Sequence, residues 1–434
     1  MNLKFEFDRC DSGVTELQWG RATLLAKSGT NLPFVSGGSI SVQRPLMFLP
    51  GPVCVPEEVL AAMATPMIDH RGPAFAKLLG RITEKIRPIF GTKHEVLFLG
   101  SSGTGGLEAA VTSTFSPGQK VLSCPIGVFG RRLAAIARAF GLEVETVACE
   151  DGAVVDPRVL AARLVADRKR EIAGIFLTDT EASTGARQDM AALARAIGDH
   201  PATTIVDSVS GFGAQAFRMD EWGFDIVVTS SQKVLALSPG VAAIAVSPRA
   251  WQRIAVATGP RFALDLHRAR KFSMSGETPW TPPISLNFAL DVALERYHAE
   301  GAPSVWERYE RNAEAIHAFA AAAGLTPFSA PGAHAVTVTA LCTPAGIVAG
   351  NVLDDLRIRH GVIFGSGQEE LKGKMFRVGT MGAITPEGLI EALDRFEAVL
   401  INHGHPAVRG SGAAAARSVL ERRGLCIREE NFVA

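Results

Sequence analysis

The sequence is poor in cysteine, carries no excess of either charge and has no long apolar run, and each shortage removes a class of function. Its six cysteines (Cys10, Cys54, Cys124, Cys149, Cys342 and Cys426) are scattered through 434 residues without a CxxC pair. That spacing favours reduced structural thiols over a zinc site or a disulfide framework. Lysine plus arginine number 44, as do aspartate plus glutamate, for a formal net charge of +0. The basic surface of a nucleic-acid binder is therefore not expected. No uninterrupted apolar run reaches the roughly 18 residues of a membrane span, and the opening MNLKFEFDRC lacks the basic-then-apolar pattern of a secretory signal. A cytoplasmic protein without membrane contact is the expectation. His403 and His405, in INHGHP, have no third partner in view, so they read as solvated loop residues and no metal is expected.

What the chain does have is apolar material, 47% of its residues, enough for a large core in two or three domains. Strand-like runs (EVLFL, KVLSC, EVETVAC, IAGIFL, TTIVD, DIVVTS, VAAIAV) alternate with helical patterns such as PRVLAARLVA and DMAALARAIG. This alternation predicts an α/β fold, a mostly parallel sheet with helices on both faces. In such sheets ligands collect at the carboxyl ends of the strands.

Several stretches follow such strands. GSSGTGGLEAAV puts Gly103, Gly105 and Gly106 where a helix should begin, and each glycine there costs up to about 1 kcal/mol relative to alanine. Backbone N–H groups at that helix start, with Ser102 and Thr104 beside them, suit a phosphate; a tight structural turn is the alternative. The loop lacks the GK[ST] ending of a nucleotide P-loop and does not match GxGxxG. Phe129 opens the helix after KVLSC, as core or as cover for a flat heterocycle. Asp207 ends TTIVD, either as a turn residue or as the carboxylate that keeps a cofactor ring nitrogen protonated. Lys233 lies in TSSQKVLALSPG between two strand-like runs. It is either a solvated loop lysine or an amine that desolvation brings below its usual pKa of about 10.4 for use as a Schiff-base nucleophile. His70 and Arg71, in MIDHRGPAF, either face a substrate or brace the next helix.

The second half reads as a helix from Pro283, a long helix around residues 305–323, the strand AVTVTAL, a helix around 347–360, the strand MFRVG with Arg377, and a final helix from Pro386. The expected division is an N-terminal extension over 1–45, a large domain over 46–300 that includes a Pro/Gly-rich lead-in segment, a small α+β domain over 301–403 and a tail over 404–434.

GSSGTGGLEAA, TEASTG, VDSVSGFG, FRMDEWGFD, SSQK and FRVGTMG, in this order, resemble the class V aminotransferases of fold type I, closest to their serine:glyoxylate and alanine:glyoxylate branch. The resemblance covers the chain from about Met47 to the C-terminal region, where GSGAAAARSVL is similar to a tail found in that branch. It implies pyridoxal 5'-phosphate, with Lys233 as the Schiff-base and catalytic lysine, Asp207 on the pyridine nitrogen and Phe129 stacked on the ring. Ser102, Gly103, Thr104 and Gln232 would hold the phosphate, and Ser183 would lie near the cofactor. Arg377 would take the substrate carboxylate. Thr278 and Thr281, in ETPWTPPISL, match a segment that reaches the phosphate of the neighbouring subunit in homodimers. Two positions depart from the pattern: Ala182 stands where a hydroxyl residue is usual, and Trp280 where tyrosine is common.

The implied reaction moves the amino group of serine or alanine to glyoxylate or another small keto acid. No second arginine can be placed beside Arg377, Arg71 being the candidate, so short donors are expected to outrun glutamate. The alternatives are an aminotransferase for 2-aminoethylphosphonate or acidic amino acids and a pyridoxal-phosphate lyase. A desulfurase would want a histidine before the lysine, where this chain has Gln232. From another class, a nucleotide-binding protein could use the same glycine loop, but the P-loop lysine is missing.

Overall fold

The computed structural model describes residues 45–422, so the extension read over residues 1–44, with Cys10, and Cys426 lie outside the described residues. The centre is a seven-stranded sheet in the spatial order Glu95–Leu99, Ala242–Val246, Ile226–Ser230, Thr203–Asp207, Ile172–Thr178, Lys120–Cys124 and Glu143–Thr146. Only Ala242–Val246 runs antiparallel to its two neighbours; the other pairs are parallel. Four of these strands are buried at every residue, as continuous apolar runs covered on both faces should be.

Alternate side chains of the sheet enter two separate cores. Val206, Val227, Ala243 and Ala245 pack with the helices Pro73–Phe90 and Ile284–Glu300. Ile205, Ile226, Val228 and Ile244 pack with Gly103–Thr114 and Val128–Ala139 on the opposite face. The period of two along each strand thus divides the helices into two layers.

A second sheet of four strands, Leu46–Phe48, Val362–Ser366, Met375–Gly379 and Val338–Cys342, packs on the helices Ala302–Ala322, Ala349–His360, Pro386–Asn402 and Ser411–Arg422. Its first strand comes from the lead-in segment: Leu46 to Phe48 pair in parallel with Val362 to Phe364. The expected division groups this segment with the large domain, because three apolar residues carry no period and their partners, Val362 to Phe364, are far away in sequence. Residues 411–422, expected as tail, form a helix whose Ala416 and Leu420 are buried in this second core. Among the described residues, no helix is long and apolar enough to cross a membrane.

Candidate active site

The parallel strands of the large sheet deliver their turns to one edge. Gly51, Pro52, Ser102, Thr104, Phe129, Thr180, Asp207 and Lys233 are among the residues that line a cleft of about 260 Å³ there. Gly103 and Gln232 line it too.

Lys233 is fixed by a loop that closes on itself. The Ser231 amide donates to the Val241 carbonyl (2.9 Å), the Ala236 amide to the Lys233 carbonyl (2.9 Å), and the Ser231 hydroxyl to the Ser238 carbonyl (2.7 Å). The ammonium is buried and donates to the carbonyl of Pro50. Gly51 makes room for it, since its φ is +123° and a Cβ there would meet Lys233 Nζ at 2.7 Å. Burial lowers the Lys233 pKa to about 8, with Arg377 and Arg132 opposing the pull of Asp207 and Glu181. A lysine in this state is partly an amine near neutral pH.

Asp207 accepts from the Val209 amide at 3.0 Å. Burial pushes its pKa up to about 7, that hydrogen bond opposing, and Glu181 adds to the rise while Lys233 counters it. Such a carboxylate is starved of a cation and would regain its charge beside a protonated ring nitrogen.

Across the cleft, the helix Gly103–Thr114 starts with Ser102 as its cap, accepting from the Gly105 amide at 3.4 Å. The first amides of any helix lack intrahelical acceptors, and here they belong to residues bordering the cleft. The three glycines also answer to packing: a Cβ on Gly103 would meet Val209 Cγ2 at 2.7 Å, one on Gly105 the Ser101 hydroxyl at 1.9 Å, and one on Gly106 both Ala242 Cβ and Val228 Cγ1 at 2.9 Å. Their bareness therefore does not depend on an anion. What points to one is the side-chain oxygen of Gln232, a cleft residue, which is buried without a hydrogen-bond partner. Because an amide can be turned end for end, Gln232 is able to offer its NH₂ to a phosphate. These donors, the cleft and the starved Asp207 fit pyridoxal phosphate.

The fourth wall is organised by Glu181, which the sequence reading passed over. Its buried carboxylate accepts from the amides of Phe129 (3.1 Å), Gly130 (3.0 Å) and Ser183 (3.1 Å), at the start of the helix Val128–Ala139. A carboxylate at a helix N-terminus is favoured by the helix dipole, although burial raises its pKa. Ser183 is drawn into the same knot: its hydroxyl donates to Glu181 (2.5 Å) and accepts from the Val128 amide (3.0 Å). It is wholly buried and is not among the residues lining the cleft. The geometry thus gives Ser183 a bracing place behind Phe129.

Arg377 comes from the second sheet. It is buried, with Nε donating to the Ser366 carbonyl (2.7 Å) and Nη1 to the Ala182 carbonyl (2.9 Å). Among the described residues none accepts from Nη2. Burial lowers its pKa to about 10, with Glu181 opposing. The departure at residue 182 leaves this contact intact, because it uses the backbone.

Other residues lie elsewhere. Arg71 pairs with Glu277 at 3.0 Å and stands over the ring of Phe272, so it faces the 272–280 segment and not the cleft. Thr278 donates to the Trp280 carbonyl (2.7 Å), and neither it nor Thr281 lines the Lys233 cleft. Trp280 stacks near Phe262, ring centres 5.1 Å apart. His403 and His405, read as solvated, are pinned: His403 to Asp355 (3.1 Å) and the buried His405 to the Ala323 carbonyl (2.6 Å). One cleft residue escaped the sequence reading. Arg132 lines the cleft with its guanidinium 4.6 Å from the centre of the Phe129 ring.

Fold and site together set a buried lysine in a cleft at a strand edge, bordered by the start of a helix, an arrangement that fits a phosphorylated carbonyl cofactor. The sequence model of the family Aminotransferase class-V matches residues 57–367. The L-aspartate–glyoxylate aminotransferase of Paracoccus denitrificans is 37% identical over 380 residues, 86% of this chain and 96% of the relative. The serine–glyoxylate aminotransferase of Methylorubrum extorquens is 33% identical over 388 residues, 87% of this chain and 96% of the relative. The crystal structure of the ureidoglycine–glyoxylate aminotransferase of Bacillus subtilis superposes with a TM-score of 0.82 at 28% identity, covering 87% of this chain and 98% of that one. The chain belongs to the class V aminotransferases and has their fold type I architecture.

Proposed function

We propose that the chain is a pyridoxal-phosphate enzyme that moves the amino group of serine or alanine to glyoxylate, acting as a cytoplasmic homodimer. The observation that carries this reading is the buried Lys233 beside Asp207, at the same strand edge as the capped helix start, with Arg377 near enough to help lower the Lys233 pKa. Glyoxylate as acceptor is common to the names of the two relatives and of the solved structure described above, whereas their donors differ. The free thiols of Cys124, Cys149 and Cys342 agree with a reducing compartment.

When bound, pyridoxal phosphate supplies a carbonyl carbon that condenses with amines and a ring that takes up electrons. Ser102, Gly103, Thr104 and Gln232 would hold its phosphate, Phe129 would cover the ring, and Asp207 would keep the ring nitrogen protonated. Arg377 pairs through its free Nη2 with the donor's α-carboxylate and so turns the Cα–H toward Lys233. The Lys233 amine is then placed to take the Cα proton and hold it as an ammonium, a base whose lowered pKa suits work near neutrality. Thr278 and Thr281 reach the phosphate in the partner subunit. A fully active monomer at nanomolar concentration would contradict that arrangement.

The test is a donor screen against glyoxylate. Serine and alanine should be accepted, and Arg377→Ala should lower kcat/KM for both by about a hundredfold or more, the range for truncating one member of a desolvated charge pair. A preference of tenfold or more for 2-aminoethylphosphonate, which has no α-carboxylate, would refute the role given to Arg377.

A further inference from the structure

One buried acid beside the site has no part in the chemistry derived above. Asp179 is wholly buried, and its amide donates to the Asp207 carbonyl at 2.9 Å, because Thr178 and Asp207 are register partners at the ends of adjacent parallel strands. Its carboxylate accepts from the hydroxyl of Ser208, the residue next to Asp207, at 2.7 Å. It also accepts from Gln215 Nε2 at 2.7 Å and from the Thr180 hydroxyl at 3.4 Å. Arg187 acts on this carboxylate through the Gln215 amide, whose oxygen accepts from Arg187 Nη1 at 2.8 Å. Room is kept for the acid: a Cβ on Gly211 would stand 2.3 Å from Asp179 Oδ2. Bracing the turn does not by itself call for a charge. An asparagine could serve the same partners, the Ser208 hydroxyl turning to accept, without the cost of burying a carboxylate.

Resting on the reading that Asp207 meets the cofactor's ring nitrogen, we propose that Asp179 is a positioning residue that holds the Asp207 turn through Ser208 and sets a second negative charge behind it, so that two carboxylates in series favour a cationic ring. The two acids differ in their supply of donors. Asp207 accepts from one amide, whereas Asp179 accepts from three side chains. Burial raises Asp179 to about 6, with those donors and Arg187 opposing. It raises Asp207 to about 7, with Glu181 and Asp179 adding to the rise and Lys233 countering it. Asp179 is therefore the first of the pair to ionise as pH rises, and Asp207 then ionises most readily with a cation beside it. A ring without a basic nitrogen offers this pair nothing.

The experiment measures dissociation constants of pyridoxal 5'-phosphate and of its 1-deaza analogue, which has carbon in place of the ring nitrogen, at about pH 8, above the Asp179 value. The proteins are wild type, Asp179→Asn, Asp179→Ser and Asp207→Asn. Both probes carry the same aldehyde and phosphate, so the ratio of their affinities reads the ring nitrogen alone. Wild type should prefer the cofactor with the nitrogen. That preference should shrink by about tenfold in Asp179→Asn, the scale of one charge acting across a medium of intermediate dielectric. Asp179→Ser should behave alike, and serves where the asparagine variant does not fold. Equal weakening of both probes, or an unchanged preference in a folded variant, would reduce Asp179 to a brace and overturn the proposal. Failure of the underlying reading would show differently: wild type would bind the two probes alike, and Asp207→Asn would leave their ratio unmoved.

Discussion

At the scale of single residues, the site is a set of charges kept from water. Asp207 holds its proton up to about pH 7, against 3.8 for the free side chain, so between these values the folded cofactor-free protein binds more protons than the unfolded chain. Its stability must therefore fall as pH rises through that window. Lys233 has the opposite sign: with its pKa lowered from 10.5 to about 8, the unfolded chain binds more protons above pH 8, and stability recovers as pH rises. Denaturant titrations of the cofactor-free protein should show these two groups' contribution at its least favourable between about pH 7 and 8. Asp207→Asn should flatten the fall below pH 7; an unchanged slope would mean that Asp207 is not the group responsible. Residues of this kind were partly legible. Lys233, Asp207 and the 102–104 turn sit after strand-like runs, where local pattern and chemistry coincide. Arg132 was not legible, since RRL on a helix does not say which of two neighbours faces in. Glu181 and Ser183 share a knot that only the meeting of two turns creates.

At the scale of elements, the glycines of the first helix of the site separate two physical demands. Propensity alone predicts that Gly106→Ala stabilises the helix by up to about 1 kcal/mol. The added methyl would stand 2.9 Å from Ala242 Cβ and from Val228 Cγ1, atoms with no flexible end to yield, and such overpacking costs about 1–3 kcal/mol. The clash should win, with a net loss of stability in chemical denaturation; a gain would show that helix and sheet can part freely. The main elements were readable because their periods are long and clean, as in Pro73–Phe90 with seven buried apolar residues on one side. The three-residue strand Leu46–Phe48 was not, because its pairing with Val362–Phe364 is wholly non-local. Helix Ser411–Arg422 hid in an alanine run whose burial depends on the helices it packs against.

At the scale of the whole molecule, the cleft exists only because the chain returns to it from distant positions. Pro50 supplies the carbonyl that holds Lys233, the large sheet supplies Asp207, the helix Val128–Ala139 supplies Phe129, and the second sheet carries Arg377 back to the Ala182 carbonyl. The parallel order of the strands made this convergence predictable in kind. Which loops touch was not, since that depends on how the two sheets pack. The central claim is that Lys233 is the cofactor's covalent partner. Its most direct test is borohydride reduction of the protein incubated with pyridoxal phosphate, followed by digestion and mass spectrometry. A single pyridoxyl label on Lys233, lost in Lys233→Ala while that variant still binds the cofactor through its phosphate, is the predicted result. A label on another lysine, or transamination at wild-type rate by Lys233→Ala, would contradict it.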